Sequence, residues 1–168
     1  MEMPTLIKEL EDGAQLIRQL TSGFSPEEAR YKPDPESWSV LEVVCHLYDE
    51  EREDFRQRLD IILHRPEQAW PPIDPQGWVT SRGYNERDLG EMLEAFLQER
   101  KRSLDWLRSI SPNWETGYQA RFGWIKAGDM FVAWVAHDGL HARQLVELRR
   151  IRLERLVKPY DMRYAGDW

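Results

Sequence analysis

The 168-residue sequence predicts an all-α fold, a four-helix bundle, and three observations lead to that prediction. Apolar residues recur at helical spacing in four long segments, alternating strand patterns are nearly absent, and capping signals mark helix starts. Helices that are apolar along one side bury that side by packing against one another. The length suits a single domain over residues 1–168.

The first long helix is indicated by an apolar stripe that ends before Gly23, a residue type common just after helices. The stripe consists of Leu6, Leu10, Ala14, Ile17 and Leu20. A short helix or turn is predicted next. Ser25 suits its N-cap, Pro26 suits the first helical position and Glu28 completes a capping box.

The second long helix begins with the same signature, Ser39 followed three residues later by Glu42. It is expected to run from Val40 to His64, because the Pro66 that follows shortly after cannot continue a helix.

Residues 65–85 carry four prolines and two tryptophans and show no helical period, so they predict a long loop between helices two and three. A loop of this length allows a crossover between parallel helices. Trp70 and Trp78 argue against disorder. They are expected to pack under the loop, to wall a substrate pocket, or to lie in a dimer interface.

The third helix is predicted from its apolar stripe and ends before Pro112. The stripe consists of Leu89, Leu93, Phe96, Leu104, Leu107 and Ile110. Residues 113–127 form a second loop, in which "YQARFGW" is a short extended piece. The fourth helix is expected from Asp129, as N-cap, to Leu148 or beyond, and the tail after it is irregular.

Composition excludes several classes of protein. With 23 basic and 30 acidic residues the formal net charge is −7, which disfavours nucleic-acid binding. No apolar run is long enough for a membrane span. The single cysteine, Cys45, cannot form an internal disulfide and is interpreted as a core thiol, and "MEMPTLIKEL" contains no secretory segment. The sequence therefore predicts a cytoplasmic protein.

Two histidines, His137 and His141, stand four residues apart on the predicted fourth helix and share one face of it. That face also carries Trp134 and Leu145, so both imidazoles point into the bundle. Buried neutral imidazoles need polar partners. A metal ion meets this need, and a pair of hydrogen-bonded core histidines is the alternative.

A third histidine, His46, lies about two turns into the second helix, opposite the pair if helices two and four pack together. Three imidazoles and one open position suffice for a catalytic divalent ion. His64 lies 18 residues further on and roughly 27 Å away along the helix axis, so it cannot share this ion.

On a helical wheel His46 falls roughly 160° from the apolar stripe of its helix and shares its side with acidic residues such as Asp49 and Glu50. One interpretation is a metal site in a solvent-facing cleft at the edge of the bundle, with these carboxylates nearby. The other is a solvated acidic face on which the histidine is present by chance and binds no metal.

Two segments, "ESWSVLEVVCHLYDEE" and "FGWIKAGDMFVAWVAHDGLHARQL", resemble the DinB-like (YfiT-type) family. The matching residues are Trp38, Ser39, Glu42, His46, Leu47, His137, His141 and Gln144. The resemblance implies an up-down-down-up bundle, often a homodimer, with a divalent ion such as nickel or zinc on the three histidines. It implies thiol-dependent enzymes that transfer bacillithiol or glutathione, or isomerise with mycothiol.

The resulting hypothesis is a divalent-metal-dependent enzyme for a small molecule: a thiol-dependent S-transferase or a related hydrolase. The alternative is a non-catalytic metal-binding or stress-response bundle. Asp49 and Glu50 are the candidate catalytic residues, as a base or as acceptors behind the ligands. "HDGLH" superficially resembles a zinc-protease motif, but Asp138 is shorter than the required glutamate and is interpreted as a surface or interhelix polar residue.

Overall fold

The computed structural model describes residues 3–167 and shows the predicted four-helix bundle. In chain order its elements are α1 (Met3–Thr21), α2 (Pro26–Ala29), α3 (Val40–Glu50), a π-helical segment (Glu51–Phe55), α4 (Arg56–His64), α5 (Pro75–Ser81), a 3₁₀ turn (Tyr84–Glu86), α6 (Leu89–Ser109), β1 (Gly117–Ala120), β2 (Gly123–Lys126), α7 (Ala127–Leu156) and a 3₁₀ turn (Arg163–Ala165). We call α3, the π segment and α4 together the second long helix. Within residues 3–167, none of the helices combines the length and apolar character that crossing a bilayer requires.

The directions of the four long helices follow from their cross-contacts. Helices α1 and α7 run parallel, because Gly13 faces Asp138 and, nearly two turns later, the Leu20 carbonyl accepts a hydrogen bond from Arg149. The second long helix and α6 also run parallel. Their early residues pack together in one apolar cluster, and their later residues pack together in another. Early residues of α1, such as Leu10, pack with late residues of the second long helix, such as Leu59, so these two helices are antiparallel and the bundle is up-down-down-up.

Helix starts follow the predicted capping chemistry with one correction. In both capping boxes the serine hydroxyl accepts from a backbone N–H and the glutamate carboxylate accepts from the serine N–H, at 2.8 Å for Ser39 and Glu42. The prediction that Asp129 is the N-cap of α7 is wrong. The helix begins at Ala127, and Asp129 lies in its first turn, where its carboxylate accepts from the backbone N–H of Lys126.

The connection at 65–85 is more ordered than predicted, because it contains α5 and a 3₁₀ turn. The signal for α5 is Asp74 followed by Pro75: the aspartate caps the helix and the proline occupies its first position. The extended piece in the second loop is confirmed as the antiparallel hairpin of β1 and β2.

The π segment explains why one helical wheel misplaces His46. An i→i+5 segment inserts an extra residue into the helix, so the apolar stripe after it is out of phase with the residues before it. Residues 40–47 are buried on every side, with α5 and Tyr84 covering one flank and α1, α6 and α7 the other. The interpretation of this region as a solvated acidic face is therefore wrong.

Candidate metal centre

The three predicted histidines come together between α3 and α7. The Nε2 atom of His137 lies 3.4 Å from Nε2 of His46 and 3.1 Å from Nε2 of His141. The candidate ligand atoms of the three rings all lie within 4.8 Å of one another. His64 is far from them on the exposed end of α4, with its Nδ1 atom 2.9 Å from the Asp60 carboxylate.

Burial keeps these imidazoles in the form that binds metal. Desolvation, followed by the neighbouring histidines, lowers the pKa of His46 to about 2. The pKa of His137 falls to about 3 for the same reasons, and burial also lowers the pKa of His141. All three rings are therefore neutral at physiological pH, and each has a nitrogen lone pair available for a cation.

Gln144 sets the orientation of one ring. The Nδ1 atom of His141 lies 2.9 Å from the side-chain oxygen of Gln144, which can only accept a hydrogen bond. The proton of His141 is therefore assigned to Nδ1, and its Nε2 lone pair points toward the other two histidines. Metal-binding histidines are commonly oriented in this way by the partner of their other nitrogen.

Aromatic rings enclose the cluster on two sides. The Trp38 ring lies 4.8 Å from the His46 ring and stacks at 6.3 Å on His141, whereas Phe55 packs 4.9 Å from His137. The remaining side opens into a cavity of about 1020 Å³ that reaches solvent. His46 itself is buried, yet the cluster lies at the cavity wall, as the predicted cleft required.

The two loop tryptophans do not line this cavity, which corrects the predicted pocket wall. Trp70 stacks on Tyr118 at 4.5 Å, and Trp78 is buried beneath the guanidinium of Arg82. The loop contributes Gln76 to the cavity. Its apolar wall consists of Trp38, Leu140, Leu148 and Ile151.

The two predicted catalytic carboxylates are buried, and neither lines the cavity. Asp49 accepts a hydrogen bond from the Tyr84 hydroxyl at 2.6 Å and pairs with Arg82 at 2.7 Å. Glu50 lies beside Asp54, and burial, followed by the charge of Asp54, raises the pKa of Glu50 to about 8. A catalytic role for either residue stays a prediction.

A second buried polar group, which we call the closed ion cluster, consists of Arg100, Glu51 and Asp138. Arg100 donates to both oxygens of Asp138 at 2.6 and 2.9 Å and to Glu51 at 2.9 Å. The indole N–H of Trp134 donates to the other oxygen of Glu51 at 3.0 Å. Of the two positions predicted for Asp138, surface or interhelix, the structure shows the interhelix one.

The ligand set consists of histidines alone. Among residues 3–167, no cysteine or carboxylate joins the three histidines as a further ligand. Cys45 is buried in the core as predicted, and desolvation raises the pKa of its thiol to about 12. Three converging neutral imidazoles that face a cavity fit a divalent ion that keeps one position open.

Comparisons with known proteins agree with this geometry. The family model of the DinB superfamily matches residues 9–145. The solved structure of YfiT from Bacillus subtilis is similar with a TM-score of 0.80 and 19% sequence identity, over 90% of this chain and 87% of that one. YfiT is described as "a probable metal-dependent hydrolase with an unusual four-helix bundle topology". Among curated proteins, none matches the sequence significantly.

Proposed function

The chain belongs to the DinB superfamily, and from this premise we propose that it is a divalent-metal-dependent enzyme for a small molecule. The observation that carries the proposal is the open ligand set: His46, His137 and His141 converge at a cavity wall without a further cysteine or carboxylate among residues 3–167. A metal site with a structural role is normally closed by a fourth protein ligand.

The residues of this chain hold, orient and shield the ion. The three histidines would hold it, Gln144 fixes the tautomer of His141, and Trp38 keeps water from one side of the cluster. A divalent ion such as zinc or nickel supplies Lewis-acid activation of a thiol or a water molecule. The cavity is large enough for a small organic molecule beside the cluster.

We propose a thiol-dependent S-transferase as the finer assignment, because two unpaired opposite charges line the cavity. Asp34 is engaged in a local turn and Glu147 pairs with Arg150. The side chains of Glu36 and Arg143 have no hydrogen bond or ion pair with any part of the chain that the structure describes. Together they suit a low-molecular-weight thiol that carries both a carboxylate and an ammonium group.

Two alternatives are kept. The description of YfiT favours a hydrolase, in which water replaces the thiol at the same site. A non-catalytic metal-binding bundle is the other alternative, and the open ligand set argues against it. The predicted homodimer and the predicted cytoplasmic location stay predictions, and light scattering in solution tests the first.

The metal content of untagged protein tests the assignment of the site. Elemental analysis should give close to one divalent ion per chain, lost in the variant with alanine at His46, His137 and His141. His64→Ala is the matched control and should retain the ion, because this histidine lies on the far end of the helix. Unchanged metal content in the triple variant would overturn the site.

Activity separates the proposed classes. The loaded protein is assayed with low-molecular-weight thiols and electrophilic acceptors, and in parallel with a panel of hydrolase substrates. Thiol-dependent turnover that disappears in His137→Ala supports the transferase, whereas thiol-independent turnover supports the hydrolase. In a transferase, Arg143→Ala should raise KM for the thiol more than it changes kcat. A loaded protein inactive in both panels favours the non-catalytic alternative.

A further inference from the structure

The buried side-chain atoms of the second long helix that lack a hydrogen-bond partner include Nδ1 of His46 and Oε1 of Glu50. The others are Nε of Arg52, together with Nε of Arg58 and Oδ1 of Asp54, which form an ion pair at 2.8 Å. His46 and Glu50 are deeply buried, with 5% and 4% of their surfaces exposed. A buried polar atom without a partner costs free energy and is uncommon in folded proteins. His46 and Glu50 stand four residues apart on this helix, a spacing at which side chains are neighbours, so each atom is a candidate partner for the other.

The two atoms are chemically complementary. When Nε2 of His46 is directed at a cation, its ring proton resides on Nδ1, which is then a donor. A carboxyl oxygen is an acceptor in both protonation states: the raised pKa of Glu50 leaves the group protonated at neutral pH in the metal-free protein, and its unprotonated oxygen still accepts. His46 and Glu50 stand one turn apart on the same helix face, and side chains on a helix lean toward its N-terminus, so Glu50 leans over the turn that holds His46.

The remaining contacts of Glu50 leave this oxygen available. The Glu50 carboxyl group forms a hydrogen bond with Asp54, and Asp54 is in turn ion-paired with Arg58 at 2.8 Å. The Oε1 atom of Glu50 stays unpartnered and buried.

The same arrangement already exists on the opposite helix. Gln144 stands three residues after His141 and accepts a hydrogen bond from its Nδ1 atom, so the Nε2 atom faces the cluster. Glu50 stands four residues after His46 and would complete the equivalent pair on α3. The two ligand-bearing helices would then each supply one acceptor for one ligand.

We propose that Glu50 is the positioning residue of His46: its carboxylate accepts a hydrogen bond from Nδ1–H and so holds Nε2 toward His137 and His141. The inference rests on the proposed metal site and deepens it. It replaces the general prediction of a catalytic carboxylate with a defined atom and partner. Asp49, whose carboxylate binds Tyr84 and Arg82, has no part in it.

Zinc affinity tests the proposal without any assay of activity. Competition with a chromophoric chelator should show that Glu50→Leu binds zinc about 10- to 100-fold more weakly than the wild type, the usual cost of losing an outer acceptor. Glu50→Gln retains an acceptor oxygen and should stay within about threefold of the wild type. Gln144→Leu serves as the positive reference, because its contact with His141 is present in the structure.

Glu53→Leu is the matched control. It removes the same group less than one turn away, from a residue paired with Arg82, and should leave zinc affinity unchanged. Equal affinity of Glu50→Leu and the wild type would overturn the inference alone. Absence of zinc binding by the wild type would overturn the proposed function and the inference with it.

Nuclear magnetic resonance of the zinc-loaded wild type keeps the test decisive if Glu50→Leu does not fold. Long-range proton–nitrogen spectra should show the His46 proton on Nδ1, with its resonance shifted upfield in Glu50→Gln because an amide is the weaker acceptor. A proton on Nε2 of His46, or an unchanged resonance in Glu50→Gln, contradicts the proposal.

Discussion

The neighbouring residues His137 and Asp138 belong to two buried polar groups that differ in nearly every respect. Asp138 is part of the closed ion cluster, in which each carboxylate receives a donor and the guanidinium is shared between them. His137 is part of the histidine site, whose rings are neutral and whose Nε2 atoms face one another beside an open cavity. Adjacent helix positions point about 100° apart, which separates the two groups.

The difference teaches how buried polarity can be assigned a role. The closed ion cluster satisfies its own hydrogen bonds inside the protein and leaves nothing for a ligand to complete. The histidine site brings three ring nitrogens together at the wall of an open cavity, where a single cation can bind all three lone pairs at once. We therefore assign the first group to the stability of the bundle and the second to its function.

The largest effect is expected from Arg100→Met, which breaks the closed ion cluster. It leaves Glu51 and Asp138 as buried carboxylates without a cation, and it should cost about 3–5 kcal/mol in the free energy of unfolding. Urea denaturation measures the loss. The control is Arg102→Met on the same helix, which should cost less than about 1 kcal/mol, because Arg102 is largely exposed and its partner Glu99 keeps a second cation, Arg56. Similar costs for both would refute the distinction.

A smaller loss is expected from Gly13→Ala, which overcrowds the same cluster from α1. A Cβ atom at Gly13 would lie 2.2 Å from the carboxylate of Asp138, which Arg100 holds in place. Either α1 or the ion pair has to move, at a cost of about 1–3 kcal/mol. Thermal unfolding measures the effect, and a wild-type melting temperature would show that α1 does not pack as closely as described.

The histidine site should make the metal-free protein sensitive to acid. The unfolded histidines titrate near 6.5, whereas the folded pKa values of His46 and His137 are about 2 and 3, so below pH 6.5 the unfolded state binds more protons. Stability should therefore fall as pH drops from 6.5 to 5, by roughly 1 kcal/mol per pH unit for each histidine. His137→Leu should show a shallower dependence in urea denaturation, and an identical one contradicts the prediction.

The smallest effect should be a gain from Gly139→Ala, beside both polar groups. Gly139 is exposed in the middle of α7, and a Cβ atom there would meet nothing within 4 Å. Alanine should raise the free energy of unfolding by about 0.5–1 kcal/mol, because it restricts the unfolded chain more than glycine does. Gly139→Ala and Gly13→Ala should therefore change the free energy of unfolding in opposite directions when both are measured in the same experiment. This difference distinguishes a glycine with open space around it from a crowded one.

Local signals were sufficient for the bundle and for the grouping of the three histidines. Capping boxes and apolar stripes located the four long helices, and the spacing of His137 and His141 with the position of His46 indicated the site. The four-residue spacing works because it depends only on the geometry of one helix. Asp74 and Pro75 carried an equally local signal for α5, but the proline-rich composition around them obscured it.

Features that depend on tertiary packing were not predictable in the same way. The residue pattern gives no sign of the π segment. One helical wheel drawn through the whole helix therefore placed Glu50 on a solvated face, although this residue is buried. The closed ion cluster joins Glu51, Arg100 and Asp138 from three separate helices, and each alone is typical of an exposed helix position. The cavity charges Glu36 and Arg143 likewise become meaningful only once the fold places them beside the histidines.

Because Cys45 is buried, any sulfur nucleophile that reacts at the histidine site has to come from a small-molecule thiol and not from the protein. Cys45 is the chain's only cysteine, it has no exposed surface, and its pKa near 12 leaves it protonated at physiological pH. The native protein should therefore resist alkylation by iodoacetamide, as mass spectrometry can verify, and react only after denaturation. An enzyme with this property can work among electrophiles that inactivate other proteins, because it presents no reactive thiol of its own.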